Sequence, residues 1–316
     1  MELHNPNFPL NLNIHPSSPI TYQQHSAEYV KNYSFQAQEL AIRKYGIAGR
    51  VWEASYAMTF YIHPSSGFEF DPPLIDGSRN SEKITIVELG SGSGMVAFSL
   101  AKLLKPGYDR LIVTDLPEVC PLLQANLDAA NLPTGSLSTN GKLVSVRPLS
   151  WGNHHDAVAL VSEHFTEQSA QHSVVPVTHI ICSDLVYFPE LLAPLLRSLL
   201  HLTSLLPRES TPSLIISYKI RSLAKESSFW SAFGLWFKFR PVLIRCRSSN
   251  SEWQRFGSDL DDTILLFVAH RREESFDWEI PALDDELLGG VGAHGNDSRK
   301  GDDTFENLLI MAIQQG

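Results

Sequence analysis

Four short segments of this 316-residue chain hold residues whose types and spacing could do chemistry together. The first is Val87-Glu88-Leu89-Gly90-Ser91-Gly92-Ser93-Gly94, where a β-branched run delivers three glycines at alternate positions into a helical pattern. Glycine suits such a turn because its backbone takes positive φ and lets a ligand approach closely. The first turn of the helix beyond it leaves N–H groups unpaired. Dinucleotide sites use G-x-G-x-x-G, whose third glycine would here fall on Met95. The spacing present, G-x-G-x-G behind the acid Glu88, suits a nucleoside that ends in an amino acid. S-adenosylmethionine is such a ligand, with Glu88 near its ammonium and loop N–H groups on its carboxylate. A tight turn with no ligand is the alternative.

Asp115 closes the run Arg110-Leu111-Ile112-Val113-Thr114-Asp115. Ligands of open parallel sheets sit outside the strands' carboxyl ends, where a carboxylate can accept both ribose hydroxyls. The same residue could instead cap a helix beginning at Pro117. Trp151, in Leu149-Ser150-Trp151-Gly152, could cover an adenine, although a lone Trp is more often core. Asp184 and Tyr187 follow a fourth apolar run in Ser183-Asp184-Leu185-Val186-Tyr187-Phe188. This D-x-x-Y is the reaction-side candidate; its plain reading is a capping Asp and a packing Tyr. A related tetrad in enzymes that methylate nucleic-acid amino groups carries two prolines where Leu185 and Val186 stand.

Short apolar runs alternating with helical patterns would position these residues, and that alternation marks a doubly wound α/β fold, a parallel sheet covered by helices. Strands are expected over 84–89, 111–114, 143–146, 179–182 and 214–218, and a late one over 264–269 pairs antiparallel with a run near 242–246. Helices are expected over 51–62, 95–104, 117–130, 158–165, 191–206 and 229–239, and Phe35 to Ile42 reads as a strand or hairpin arm. Trp230, Phe233, Trp236, Phe237 and Phe239 recur at near-helical spacing, as core or in part as a target-protein groove. Residues 1–34 form a flexible arm, 35–280 one domain, and 281–316 an acidic, Gly-rich tail. Within that tail 289–304 has flexible-coil composition, and 305–313 is a short apolar helix that docks back or packs on a partner. The 152–175 stretch is an insertion, and Arg271-Arg272 beside Glu273-Glu274 reads as a solvated strand end.

Composition narrows the function classes. Apolar residues make up 43% and charged residues 19%, which excludes a wholly disordered chain. A formal charge of −10 argues against a generic phosphate-backbone binder and is compatible with a basic protein partner. Three scattered cysteines give neither metal-ligand spacing nor a disulfide framework, which fits a reducing compartment. His154-His155 has no carboxylate or Cys at ligand spacing, so no metal site is expected. The first twenty residues lack a basic region ahead of an apolar core, and Leu191 to Leu206 is too broken to span a bilayer. A soluble, cytoplasmic monomer is expected.

Taken together, Gly49 to Ser55 (GRVWEAS), Val87 to Gly94, Thr114 to Pro117 (TDLP), Leu149 to Gly152 and Ser183 to Tyr187 resemble the seven-strand protein-lysine methyltransferases that carry a D-x-x-Y motif. The resemblance spans roughly residues 35 to 270. It implies a seven-stranded, mostly parallel Rossmann-like sheet, S-adenosylmethionine as donor, and a non-histone protein as substrate. The fungal branch acting on elongation factor 1-alpha is most similar. By the resemblance, Trp52, Gly90, Ser91, Gly92, Asp115, Trp151 and Ser183 line the donor site, with Asp184 and Tyr187 facing the lysine. Asp184 would draw and orient the ammonium, and Tyr187 with Phe188 would wall it. Small-molecule N- or O-methylation, or a non-catalytic binding role, are the other readings.

Overall fold

The computed structural model describes residues 13–18, 33–64, 67–75, 82–130, 132, 143–165, 176–247, 251–257 and 264–313. Most of the expected N-terminal arm and residues 166–175 of the 152–175 insertion lie outside the described residues. Helices are α1 Phe35–Tyr45, α2 Glu53–Ile62, α3 Met95–Leu103, α4 Cys120–Ala129, α5 His154–Phe165, α6 Pro189–Leu205, α7 Leu223–Trp236, α8 Asp284–Leu288 and α9 Thr304–Ile313. Strands are β1 Phe68–Asp71, β2 Thr85–Leu89, β3 Arg110–Asp115, β4 Val144–Pro148, β5 His179–Ser183, β6 Ser213–Lys219, β7 Phe237–Pro241, β8 Leu243–Cys246, β9 Gln254–Arg255 and β10 Ile264–Arg271.

Seven strands form one sheet in the order β4-β3-β2-β5-β6-β10-β7. β2 pairs parallel with β3 on one side and with β5 on the other, so the order reverses at β2 and a crevice opens at its carboxyl end. All five residues of β2 and of β5 are buried, as strands covered on both faces must be. β10 runs antiparallel to both β6 and β7. One apolar cluster, with α5, α6 and α7, packs on one face and another, with α2 and α3, on the opposite face.

Several expectations are corrected. Phe35 to Ile42 lies in helix α1, started by Ser34 Oγ, which accepts from Ala37 N; the Gln, Ala, Glu and Leu within it outweigh its aromatic entry. The 117–130 helix begins only at Cys120, after a turn, with Pro121 at the early position. The helix expected over 229–239 ends at Trp236, and Phe237 to Pro241 is β7, where buried Phe237 and Phe239 alternate with exposed Lys238 and Arg240. β10 therefore pairs with β7, while β8 joins β1 and β9 in a separate three-stranded sheet. Residues 289–304 are ordered: an added Cβ on Gly290 would lie 2.2 Å from Lys300 O, and Lys300 N donates to Gly289 O at 3.0 Å. α9 docks back, with buried Phe305 stacked on Trp230 at 4.8 Å. The α7 aromatic stripe is therefore core. Arg271 is buried and donates to Leu200 O, Thr203 Oγ1 and Ser275 O.

Buried Gln38 ties residues 13–18 to the turn that precedes α2. Its Oε1 accepts from Ser17 N and Val51 N, each at 3.1 Å, and its Nε2 donates to Ser17 O at 3.0 Å and Tyr33 O at 2.9 Å. Gln38→Leu removes these four hydrogen bonds and is expected to cost about 2 kcal/mol in urea unfolding. Because Val51 lines the cavity described next, the same variant should bind its ligand less tightly.

Candidate active site

A cavity of about 670 Å³ opens where β2, β3 and β5 end. Trp52, Glu88, Gly90, Ser91, Gly92, Asp115, Trp151, Ser183, Asp184 and Tyr187 all line it, so the residues expected to hold the donor and face the lysine converge on one hollow. Trp52 comes from the start of α2, the glycines from the β2–α3 turn, Trp151 from beyond β4, and the D-x-x-Y from beyond β5.

The glycine turn is shaped by positive φ at Gly90 (57°) and Gly92 (53°). An added Cβ on Gly90 would sit 2.7 Å from Leu185 Cδ2 and 2.9 Å from Trp151 Cζ2. Gly92 N donates to Asp115 Oδ2 at 2.7 Å, and Leu116 N to Asp115 Oδ1 at 2.8 Å. Asp115 therefore anchors the turn. It does not cap α4, whose N-cap is Val119. Burial raises its carboxyl to about 6 against the opposing pull of those two amides. Each oxygen retains a lone pair that could accept a hydroxyl.

Glu88 lies on β2, buried, and its Oε2 has no hydrogen-bond partner among the described residues; neither has Ser91 Oγ. Burial, reinforced by the Asp115 charge, pushes the Glu88 carboxyl up to about 8. Buried polar atoms are as a rule satisfied, so an orphaned carboxylate oxygen bordering a cavity is chemically suited to a cationic ligand group.

At the other end Asp184 adopts φ 62° and is buried. Its carboxylate accepts from Arg221 Nη1 and Nη2, both at 2.7 Å, from Ala54 N at 3.2 Å and from Lys219 N at 3.3 Å. The residue expected to draw an incoming ammonium is thus already engaged by four donors. Ser183 Oγ contacts Ser55 Oγ at 3.2 Å and Ser217 Oγ at 3.0 Å. The Tyr187 ring stacks on Trp52 at 6.2 Å, meets Trp151 edge-on at 6.5 Å and lies 4.7 Å from Phe188. Burial, helped by the Asp115 and Asp184 charges, raises its phenol well above the usual range, so it stays protonated. Sequence reasoning missed Arg221, Arg50 and Glu53. Arg50 and Arg221 lie over the Trp52 ring at 4.6 and 5.1 Å, and Glu53 pairs with both. Arg50 and Glu53 flank Trp52 within the quoted GRVWEAS segment, so that signal was present; Arg221 had none.

A family model described as lysine methyltransferase matches residues 32–234. The chain belongs to that family. The protein-lysine N-methyltransferase EFM6 of Saccharomyces cerevisiae is 27% identical over 187 residues, which span 58% of this chain and 68% of that protein. The protein N-lysine methyltransferase METTL21A of Xenopus tropicalis is 28% identical over 162 residues, 51% of this chain and 58% of that one. Among solved structures, a ribosomal protein L11 methylase from Lactobacillus delbrueckii subsp. bulgaricus superposes with a TM-score of 0.38 at 12% identity, over 70% of this chain and 79% of that one, too loosely to bear on mechanism.

A lysine methyltransferase of this family takes its methyl group from S-adenosylmethionine, and the cavity fits that donor. The orphaned Glu88 oxygen would suit its ammonium, the glycine turn, which has no side chains at Gly90 and Gly92, would let it lie close to the backbone, and Asp115 would have acceptor positions for its ribose. Among the described residues no cluster of three His, Cys, Asp or Glu could hold a metal, and no helix is long and apolar enough to cross a membrane.

Proposed function

We propose that this lysine methyltransferase modifies a lysine of a non-histone protein in the cytoplasm, a translation elongation factor, with elongation factor 1-alpha the target its motifs resemble most. The observation that carries the reading is one continuous cavity joining the unpartnered Glu88 Oε2 to an aromatic group of Trp52, Tyr187, Trp151 and Phe188. In this reading Glu88, Gly90, Ser91, Gly92, Asp115, Trp151 and Ser183 hold the donor, and Asp184 and Tyr187 shape the acceptor end. Trp52, expected on the donor side, is assigned to the acceptor end because its ring stacks on Tyr187.

S-adenosylmethionine supplies a methyl group already activated on sulfonium sulfur, so the chain's own task is to orient and desolvate. A lysine has an ordinary pKa of about 10.4 and must react as the neutral amine. Passage along the wall formed by Tyr187 and Phe188 strips water from it, which lowers that pKa. The Tyr187 ring attracts an ammonium by about 0.5–2 kcal/mol, enough to recruit it before the proton leaves to water. Tyr187 acts through its ring, since its protonated phenol makes a poor base. Tyr187→Phe is therefore expected to keep activity within about threefold, and Tyr187→Ala to lose about tenfold or more, both read as initial rates of methyl transfer.

The test is incubation with tritiated S-adenosylmethionine and a protein extract from a strain lacking the gene. Label in a discrete band that yields methyllysine on hydrolysis supports the reading. Label confined to small molecules overturns it. Recombinant elongation factor 1-alpha as acceptor tests the target directly.

A further inference from the structure

An ionised carboxylate offers about four lone-pair positions, and Asp184 has all four in use: Arg221 Nη1 and Lys219 N on Oδ1, Arg221 Nη2 and Ala54 N on Oδ2. Its side chain is wholly buried. An acceptor ammonium could reach it only by displacing one of these donors. The pair also joins three elements. Asp184 follows β5, Lys219 and Arg221 lie at and beyond the end of β6, and Ala54 is in the first turn of α2.

Arg221 extends the clamp to the aromatic wall. Its guanidinium lies 5.1 Å from the Trp52 ring centroid, and its Nη2 is 3.3 Å from Glu53 Oε2. Trp52 in turn stacks on Tyr187. Asp184 sits at φ 62°, a region uncommon for residues with a Cβ, although Asp enters it more readily than most. The bidentate Arg221 pair and the donation from Asp184 N to Ser217 O at 2.8 Å hold it there.

We infer that Arg221 is a positioning residue of the acceptor end: by clamping Asp184 in a bidentate pair it fixes Trp52 against Tyr187, and the motif's aspartate serves as that clamp's anchor rather than as the ammonium's counter-ion. The inference rests on the methyltransferase reading above and names a residue that reading does not use.

Full-length protein and the variants Arg221→Gln, Arg221→Lys, Asp184→Asn and the double variant Asp184→Asn/Arg221→Gln are compared. Two quantities are read: the initial rate of label transfer from tritiated S-adenosylmethionine to extract of a strain lacking the gene, and the calorimetric Kd for S-adenosylhomocysteine. Arg221→Gln is expected to slow transfer about thirtyfold or more while leaving that Kd within about threefold, because the uncompensated buried charge displaces the wall and spares the donor end. Arg221→Lys, which keeps the charge without the planar fork, should fall between. The double variant should run about tenfold faster than Arg221→Gln, since a neutral Asn–Gln pair can hydrogen-bond across the same gap.

Were Asp184 the ammonium's partner, freeing it with Arg221→Gln would keep or raise the rate, and the double variant would be no faster than Asp184→Asn alone. Either result overturns the inference while labelling by the unaltered protein upholds the functional reading. Should Arg221→Gln fail to bind S-adenosylhomocysteine at all, the double variant decides: binding and transfer restored support the clamp, and their absence overturns it. If the unaltered protein labels no band, the reading falls and the inference with it.

Discussion

Gly90→Val abolishes S-adenosylhomocysteine binding: calorimetry is expected to show affinity at least about 100-fold below that of the unaltered protein, a loss of about 2.7 kcal/mol or more. Two effects act at this position. Gly90 holds φ 57°, which a β-branched residue reaches only as an outlier. Its Cβ would also sit 2.7 Å from Leu185 Cδ2 and 2.9 Å from Trp151 Cζ2, and both of those side chains wall the cavity. Neither neighbour can withdraw freely, because Leu185 is buried and packs in the same apolar cluster that Trp151 leans on. The turn must therefore move, carrying with it Gly92 N and the hydrogen bond to Asp115. Gly107→Ala separates backbone strain from occlusion. Gly107 has φ 76° but open space around its Cβ and lies outside the cavity, so that variant should lose stability and keep affinity. Affinity within tenfold for Gly90→Val would show that no ligand passes the glycine turn.

What could be read in the sequence was local, and what could not was tertiary. The glycine turn and the D-x-x-Y sit directly beyond short apolar strands and Asp115 closes another, so strand and turn chemistry together announced them. Their convergence followed from a parallel sheet, which gathers the carboxyl ends of its strands on one side. Arg221 carried no such mark. It matters because β5 and β6 are neighbours, which brings it to a residue 37 positions earlier in the chain. The edges of the fold were misread for similar reasons. Phe237 and Phe239 continue the aromatic spacing of α7, yet exposed Lys238 and Arg240 alternate with them at a period of two, and the strand pairing with β10 decides the matter. Gly289, Gly290 and Gly292 have the composition of a flexible coil, but Gly290 and Gly292 are glycine because the backbone of Lys300 and of Glu279 passes too close for a side chain.

Affinity for S-adenosylhomocysteine is expected to rise about fiftyfold between pH 6 and pH 8, because with a carboxyl at about 8 roughly 1% of empty sites are ionised at the lower pH and half at the higher. The ligand's ammonium favours the ionised carboxylate, so binding at pH 6 must expel the proton that burial keeps on Glu88. The effect on the ligand-free protein has the opposite sign. Between the ordinary 4.5 and about 8 the folded chain holds a proton that the unfolded chain has released, so stability falls as pH rises through that window. The melting shift produced by the ligand should accordingly widen with pH. Asp115, at about 6, adds a smaller dependence that fades above neutrality. Glu88→Gln removes the group that titrates: its affinity should be nearly flat from pH 7 to 8, and at pH 8 about tenfold below that of the unaltered protein. Calorimetry in two buffers of different ionisation enthalpy counts the proton directly, with about one released near pH 6 and about half of one at pH 8. A flat profile with no proton released would mean that the cation of the ligand lies elsewhere, and that the orphaned oxygen on β2 answers to something other than the donor's ammonium.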